Sequence, residues 1–337
     1  MTTLQAPAGL KRLPAFNHQM LLLVLTIIMF CLLSLFKPGQ FLTITNMQSM
    51  SFQFSEVGIL AIAMSLAILL AGIDLSVVAT ANLSSILAAI YMTNAVSNQL
   101  PGDSTGMIIS GGVLIALFAG SLCGMINGLL IGYVGVPAIL ATLSTMTLFG
   151  GIAMGITNGQ AVSRMPEGFE FLGNGLISGI PAPLILFVLV GFAVWLILER
   201  TRFGTEIYLL GTNPRSSIFS GIENARIAFY VHTLIGFLSA LCGLIMLSRT
   251  NSASAGYGAS YILTTILIAA MGGISVLGGK GKMTGVLIST VLLQMVSTGF
   301  NMLLYRQSGG NFFRDFVWGA LLVLVIAFMH WHQNRKI

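Results

Sequence analysis

Long runs of apolar residues recur along the chain, separated by short polar or glycine-rich segments. A run of about 18 or more apolar residues with few charges can cross the roughly 30 Å hydrocarbon core of a membrane as a helix. A membrane β-barrel would instead show segments of about ten residues with alternating polarity. The runs predict about ten transmembrane helices, at about residues 19–36, 55–71, 77–95, 107–132, 136–157, 184–198, 227–247, 261–278, 283–304 and 315–331.

The composition supports the same fold class. Of the 337 residues, 56% are hydrophobic and 7% are charged, whereas a soluble domain carries about 25% charged residues. A surface so poor in charge cannot face water, so we predict an all-α integral membrane protein. Residues 1–337 are predicted to form a single transmembrane domain.

The basic residues predict how the helices are oriented. Lys and Arg are enriched in the cytoplasmic loops of membrane proteins. With the amino terminus inside, the cytoplasmic segments hold two thirds of the basic residues, namely Lys11, Arg12, Arg200, Arg202, Arg215, Arg226, Lys280, Lys282, Arg335 and Lys336. Both termini are therefore predicted to be cytoplasmic, with tails at 1–18 and 332–337. The net charge of +6 follows from this bias and does not indicate nucleic-acid binding.

The largest predicted cytoplasmic loop, 199–226, carries helix signals of its own. Asn213 can cap a helix and Pro214 fits its first position, while Gly221 can end the helix in a left-handed conformation. The loop is too short for a nucleotide-binding domain, but it can hold one or two short helices on the membrane face. The alternative is a plain connector between spans.

Several polar residues inside the predicted spans are candidates for a solute pathway. Asp74 is the most informative, because an ionised carboxylate at the bilayer centre costs at least about 2.5–3.5 kcal/mol. It is interpreted as a cap at the start of the third span, as a residue for transport or proton movement, or as a packing contact with a neighbouring chain. Four uncharged groups either line a pathway for a neutral polar solute or hydrogen-bond between helices: Asn127, Thr142, Ser144 and Thr145.

Two further ionisable residues lie within or near spans. His232 stands alone among apolar residues, which is typical of an interior hydrogen-bonding group rather than a proton relay. Glu56 lies near the predicted outer end of the second span, where it can meet solvent or lipid head groups. The sequence contains no catalytic triad, paired carboxylates or cluster of metal ligands. It therefore predicts neither a catalytic site nor a metal site.

The stretch from Met271 to Val286, MGGISVLGGKGKMTGV, has some features of a phosphate-binding loop. That loop needs the pattern G-x-x-x-x-G-K-[ST]. Here Ile274 occupies the first glycine position and Gly281 occupies the hydroxyl position. We therefore predict a cytoplasmic hairpin between the eighth and ninth spans, and no nucleotide or other cofactor bound by this chain.

Three segments, AGIDLSV, GTNPRSSIFSGI and GGISVLGGKGKMTG, occur in this order along the chain. In order and spacing they resemble motifs of the permease subunits of ribose, galactose and autoinducer-2 type ABC importers, and the resemblance covers almost the whole chain. The matching positions are Gly72, Ile73, Asp74, Leu75 and Ser76, then Gly211, Asn213, Pro214, Ser220, Gly221 and Ile222, then Gly272, Gly273, Ser275, Gly278, Gly279 and Gly281.

Departures from the family pattern are mild. They occur at Ala71, Val78, Ser216, Ser217, Val276 and Lys280. They bear on the sub-family and on the identity of the solute rather than on the role of the chain.

The resemblance implies a type II-like permease fold in a bacterial inner membrane. It also implies that the 199–226 loop, including Arg215, meets an ABC ATPase subunit, and that ATP and Mg²⁺ bind on that subunit. A periplasmic substrate-binding protein and a second permease chain, identical or different, would complete the assembly within the membrane lipid. The implied cargo is a sugar or a similar neutral polar solute.

Other functions stay open at this point. One is a permease of the same superfamily for branched-chain amino acids or nucleosides. Another is an ion-coupled secondary transporter, which would need buried ionisable groups such as Asp74 and His232. A third is a membrane scaffold that transports nothing.

Overall fold

The computed structural model describes residues 18–98 and 104–304, together with residues 316, 319, 320 and 323. Its helices are α1 (His18–Phe36), α2 (Pro38–Phe41), α3 (Ile44–Leu69), α4 (Val77–Ser97), α5 (Thr105–Gly128), α6 (Ala138–Thr157), α7 (Phe171–Asn174), α8 (Ala182–Arg200), α9 (Arg202–Thr212), α10 (Pro214–Phe219), α11 (Asn224–Thr250), α12 (Tyr261–Met271) and α13 (Met283–Leu304). A π-helical turn, Leu129–Tyr133, continues α5.

The long helices reproduce most of the predicted spans. Within the part of the chain that the structure describes, eight helices are long and apolar enough to cross a membrane: α1, α3, α4, α5, α6, α8, α11 and α13. The shorter α12 (Tyr261–Met271) corresponds to the eighth predicted span, 261–278. The predicted tenth span, 315–331, lies almost wholly outside the described residues, as do both predicted tails.

Two predicted boundaries are wrong, each for a local reason. Helix α3 begins at Ile44, well before residue 55, because the Thr43 hydroxyl caps it by accepting the Asn46 N–H at 3.2 Å. Helix α12 ends at Met271 rather than 278. It stops there because Gly273 adopts a φ of +85°, which an α-helix cannot contain.

Helices α3 and α11 form the centre of the bundle and are buried along most of their length. Helix α11 packs on α5 through small residues that recur every fourth position. Side chains at these positions would collide with α11, at Gly120, Gly124, Gly128 and Gly132. Close approach of backbones through such small residues is a common way for helices to associate in membranes.

Helix α1 lies on the outside of the bundle against α13. The Gln19 amide donates to the Thr284 hydroxyl at 2.6 Å, and a ring nitrogen of His18 lies 2.9 Å from the Met271 carbonyl oxygen. Of the α1 residues, Leu22 and Leu33 are buried. The remaining apolar side chains of α1 are suited to contact with lipid.

Short strands tie together loops at the end of the bundle opposite Leu69. Strand β1 (Val162–Ser163) pairs antiparallel with β4 (Ser252–Ala253). Strand β2 (Leu176–Ile177) pairs antiparallel with β3 (Ile180–Pro181). The first pair joins two connections that are far apart in the sequence, whereas the second closes a hairpin within one connection.

Candidate functional site

The three glycine-containing segments meet at the ends of α3, α9 and α12. The Gly279 N–H donates to the Leu69 carbonyl at 2.9 Å. A Cβ at Gly211 would collide with the same carbonyl oxygen. Gly278, at a φ of +85°, would place a Cβ 2.6 Å from the Cβ of Ala71. We call this set of contacts the glycine junction.

The loop after α12 is held to α9 by side chains as well. The Thr212 hydroxyl donates to the Gly279 carbonyl at 3.3 Å, and the Tyr208 hydroxyl donates to the Gly281 carbonyl at 3.0 Å. Burial raises the pKa of Tyr208, and the nearby charge of Glu199 raises it further. Tyr208 therefore remains a protonated hydrogen-bond donor at neutral pH, which this contact requires.

Backbone N–H groups of the same loop, which a phosphate would need as donors, are bonded to carbonyl groups of the protein. The Ser275 N–H donates to the Lys280 carbonyl at 2.8 Å, the Gly278 N–H donates to the Ser275 carbonyl at 2.9 Å, and the Gly279 N–H is bound to Leu69. A phosphate-binding loop presents free N–H groups to its ligand. These contacts agree with the prediction of a structural hairpin, which the positions of α12 and α13 confirm.

The remaining glycines of the third segment close the turn against its surroundings. A Cβ at Gly272 would lie 2.8 Å from Val286 on α13, and a Cβ at Gly285 would collide with the Gly272 carbonyl oxygen. Gly273 faces the His18 ring, 2.6 Å from the position of its missing Cβ. In the first segment, a Cβ at Gly72 would similarly lie 2.7 Å from the Cβ of Ala138.

The 199–226 loop folds into α9 and α10, as its sequence predicts. Asn213 caps α10, because its side-chain oxygen accepts the N–H groups of Arg215 at 3.0 Å and Ser216 at 3.1 Å. Pro214 occupies the first helical position. The predicted cap at Asn213 is confirmed.

Helix α10 ends in a Schellman motif. The Gly221 N–H donates to the Ile218 carbonyl at 2.9 Å, and the Ile222 N–H donates to the Ser217 carbonyl at 3.1 Å. Gly221 has a φ of +79°, and Ser220 is the C-cap. This arrangement needs a residue that accepts the left-handed conformation, which confirms Gly221 as the predicted helix stop.

Helix α10 presents apolar side chains to the outside while its inner face is fixed. Phe219 is 93% exposed and Ile218 is 61% exposed, and Arg215 beside them is exposed as well. On the inner face, the buried Ser217 hydroxyl donates to the Asn224 side chain at 2.7 Å. An exposed apolar pair on a rigid, well-capped helix is suited to docking a partner protein.

Asp74 begins a buried chain of polar side chains. Ser76 donates to the Asp74 Oδ1 atom through both its N–H, at 2.9 Å, and its hydroxyl, at 2.6 Å. The Asn127 amide donates to the Ser76 hydroxyl at 2.7 Å, and the Thr145 hydroxyl donates to Asn127 Oδ1 at 2.7 Å. This chain links the start of α4 to α5 and α6.

The prediction that Asp74 caps α4 is wrong in detail. Ser76 is the N-cap residue, and Asp74 braces the turn before it. The second carboxylate oxygen of Asp74 has no hydrogen-bond partner among the described residues.

The four predicted pathway groups fall into two environments. Asn127 and Thr145 belong to the chain above, and the buried Thr142 hydroxyl accepts the Leu75 N–H at 3.1 Å and donates to the Ile73 carbonyl at 3.0 Å. Ser144 is exposed on α6 and hydrogen-bonds within its own helix. Three of the four therefore bond between segments, and a pathway role stays a prediction for all of them.

Glu56 is the clearest correction to the sequence analysis. It is 0% exposed rather than at the membrane surface, and it forms a bidentate ion pair with Arg249, at 2.5 Å from Nε and 3.0 Å from Nη2. No local pattern indicates this pair, because the two residues are 193 positions apart. His232 is buried with Nδ1 2.9 Å from the Ala228 carbonyl oxygen, which confirms the predicted interior hydrogen bond.

Comparison with known proteins identifies the family. A model of the family described as "Branched-chain amino acid transport system / permease component" matches residues 46–326. The chain belongs to this family. It is thus a transport subunit, and it is a multi-pass protein of the bacterial inner membrane.

Relatives match over most of their own length. The ribose import permease RbsC of Haemophilus influenzae is 36% identical over 82% of this chain and 83% of its own. RbsC of Bacillus subtilis is 34% identical over 89% of this chain and 88% of its own. The autoinducer 2 import permease LsrD of Klebsiella pneumoniae is 30% identical over 92% of this chain and 90% of its own. No solved structure gave a significant match.

Proposed function

We propose that the chain is the membrane-spanning permease subunit of an ATP-driven importer for a sugar or a sugar-like neutral polar solute. The glycine junction is the observation that carries this proposal. It joins the central helix α3, the loop after α12 and the helix that leads into α10 by direct backbone contacts. A movement of α10 is thereby transmitted to the centre of the bundle.

The proposal includes the partners of such an importer. An ABC ATPase subunit would dock on the exposed face of α10 and would bind ATP and Mg²⁺ itself. A second permease chain, identical or different, would pair with this one, and a periplasmic binding protein would deliver the solute. The relatives named for ribose and autoinducer 2 favour this cargo over branched-chain amino acids or nucleosides.

The ion-coupled alternative is less well supported by the buried groups. The Oδ1 atom of Asp74 accepts two hydrogen bonds from Ser76, and His232 is bonded within α11. Each side chain thus has a structural partner on one of its polar atoms, whereas Asp74 Oδ2 and His232 Nε2 are buried without a hydrogen-bond partner among the described residues.

A pull-down of the tagged chain from native membranes in mild detergent tests the proposal. We expect a stoichiometric ATPase that carries the G-x-x-x-x-G-K-[ST] loop, together with a second permease chain. Isolation of the chain alone across several detergents would overturn the importer assignment.

Replacement of Gly221 tests the role of α10. No atom lies within 4 Å of the missing Cβ, so Gly221→Val strains only the backbone, at its φ of +79°. The strain, on the order of 1–3 kcal/mol, should tilt or unwind α10 and leave ATP hydrolysis uncoupled from D-ribose uptake in proteoliposomes. Gly221→Asn is the control, because Asn tolerates the left-handed conformation. Normal uptake by Gly221→Val would contradict the assignment.

A further inference from the structure

Two polar cavities lie between α3 and α13, toward the end of the bundle opposite the glycine junction. The larger, about 870 Å³, is lined by the amides of Gln40, Asn46, Gln53 and Asn301 and the hydroxyls of Ser49 and Thr298. Its one charged lining residue among the described residues is the exposed Lys37. A volume of roughly 300–1,000 Å³ is typical of small-molecule sites.

The smaller cavity, about 190 Å³, lies beside α12. Its polar lining comes from Gln53, Gln294, Ser260, Thr264 and Ser297, and from Arg249. Toward the junction it is closed by apolar residues such as Val57 and Ile268. Below them, α3 is fully buried as far as Leu69.

Gln53 is the residue that lines both cavities. The Gln294 amide on α13 donates to the Gln53 side-chain oxygen on α3 at 3.2 Å. This one hydrogen bond joins the two helices where the cavities meet. Gln53 and Gln294 therefore lie together at the boundary between the two cavities.

Arg249 makes the smaller cavity polar without giving it a net charge. Glu56 accepts from Nε and Nη2 of Arg249, so the pair is neutral overall, and guanidinium N–H groups remain beyond those two. The Arg249 side chain is 30% exposed, whereas Glu56 is fully buried behind it. The cavity therefore offers N–H donors, amides and hydroxyls, which match the hydroxyl groups of an uncharged solute.

A third cavity shows how different a membrane-facing groove is. It measures about 710 Å³ and lies between α1, α8 and α13, with a lining of residues such as Leu23, Phe187 and Ile288. The same helix, α13, thus turns amides and hydroxyls toward one cavity and aliphatic side chains toward the other.

We propose that the two polar cavities form the solute compartment of this permease and take an uncharged, polyhydroxylated solute. The Gln53–Gln294 hydrogen bond is the gate between the outer and inner parts. The assignment rests on the proposed function, since it names where the cargo of the importer binds.

Thiol labelling of the full-length chain in lipid nanodiscs tests the compartment from both faces of the membrane. The three native cysteines are first replaced, through Cys31→Ser, Cys123→Ala and Cys242→Ala. Single cysteines are then placed in the larger cavity (Ser49→Cys) and the smaller cavity (Thr264→Cys). Two control positions on α13 are the buried Ser289→Cys and the groove-facing Ile288→Cys.

Hydrophilic methanethiosulfonates should form mixed disulfides with Ser49→Cys quickly, with Thr264→Cys more slowly, and with neither control. Adding Gln294→Ala should speed labelling of Thr264→Cys by about tenfold, because it removes the gating hydrogen bond, and should leave Ser49→Cys unchanged. Cavity positions that label no faster than the controls would overturn the compartment. An unchanged rate at Thr264→Cys would overturn the gate.

The charge preference is tested with the same variants. A reagent that carries a glucosyl group should label Thr264→Cys, in the Gln294→Ala background, faster than one that carries a sulfonate. Equal or faster reaction of the sulfonate reagent would overturn the preference for uncharged solutes. Labelling needs no ATPase, so failure here is distinguishable from failure of the pull-down, which tests the importer function.

Discussion

The glycine junction and the solute compartment lie toward opposite ends of α3 and are built in different ways. At the junction, backbone meets backbone, as where the Gly279 N–H contacts the Leu69 carbonyl. In the compartment, long side chains meet across open space, as Gln294 does with Gln53. Backbone contacts leave no room for adjustment, whereas side chains can change rotamer. The first arrangement suits transmission of a movement, and the second suits accommodation of a solute.

The largest effect is expected at the ion pair of Glu56 and Arg249, beside the compartment. Arg249→Met leaves a buried carboxylate without its cationic partner and should lower the free energy of unfolding by about 4 kcal/mol. Thermal unfolding in detergent measures the loss. Arg226→Met is the matched control on the same helix, since its pair with Glu223 is exposed at 3.6 Å and should matter little. Equal shifts in the two variants would show that the buried pair is dispensable.

The next effect is expected at the junction itself. Gly211→Ala adds a methyl group against the Leu69 carbonyl, where only backbone could move, and should cost about 3 kcal/mol of stability. Gly150→Ala on α6 is the control, because no atom lies within 4 Å of its missing Cβ. The same unfolding measurement compares them. If Gly211→Ala is as stable as the control, the contrast between the two ends of α3 fails.

A smaller effect is expected between these two regions. Thr145→Val removes the hydroxyl that donates to Asn127 at 2.7 Å and should cost about 1 kcal/mol. Ser144→Val, one position earlier, removes a hydroxyl that bonds only its own helix and should leave the unfolding temperature nearly unchanged. A reversed order would mean that the polar chain from Asp74 does not stabilise the fold.

The helices of the bundle were largely predictable because each depends on its own stretch of apolar residues. Errors arose where one or two residues decided an end, as Thr43 did for α3 and Gly273 for α12. The cap and stop of α10 were also predictable, because Asn213 and Gly221 act on neighbouring backbone.

The contacts between distant parts of the chain were not predictable in the same way. Nothing in the sequence around Gly211 indicates that it faces Leu69. The sequence around Glu56 predicts a residue at the membrane surface, and only the structure shows that Arg249 lies beside it. Gln53 and Gln294, 241 positions apart, are likewise ordinary amides in the sequence. Local patterns specify helices, but the choice of neighbour depends on the packing of the whole bundle.

The contact between α1 and α13 has a consequence for how the protein is made. Gln19 and its partner Thr284 are 265 positions apart, so at 5–20 residues per second a ribosome needs on the order of tens of seconds to supply the second after the first. During that interval α1 is already in the membrane without the helix it finally packs against. Its almost wholly apolar surface is suited to lipid during this interval. When α13 is inserted later, a segment synthesised early packs against one synthesised late.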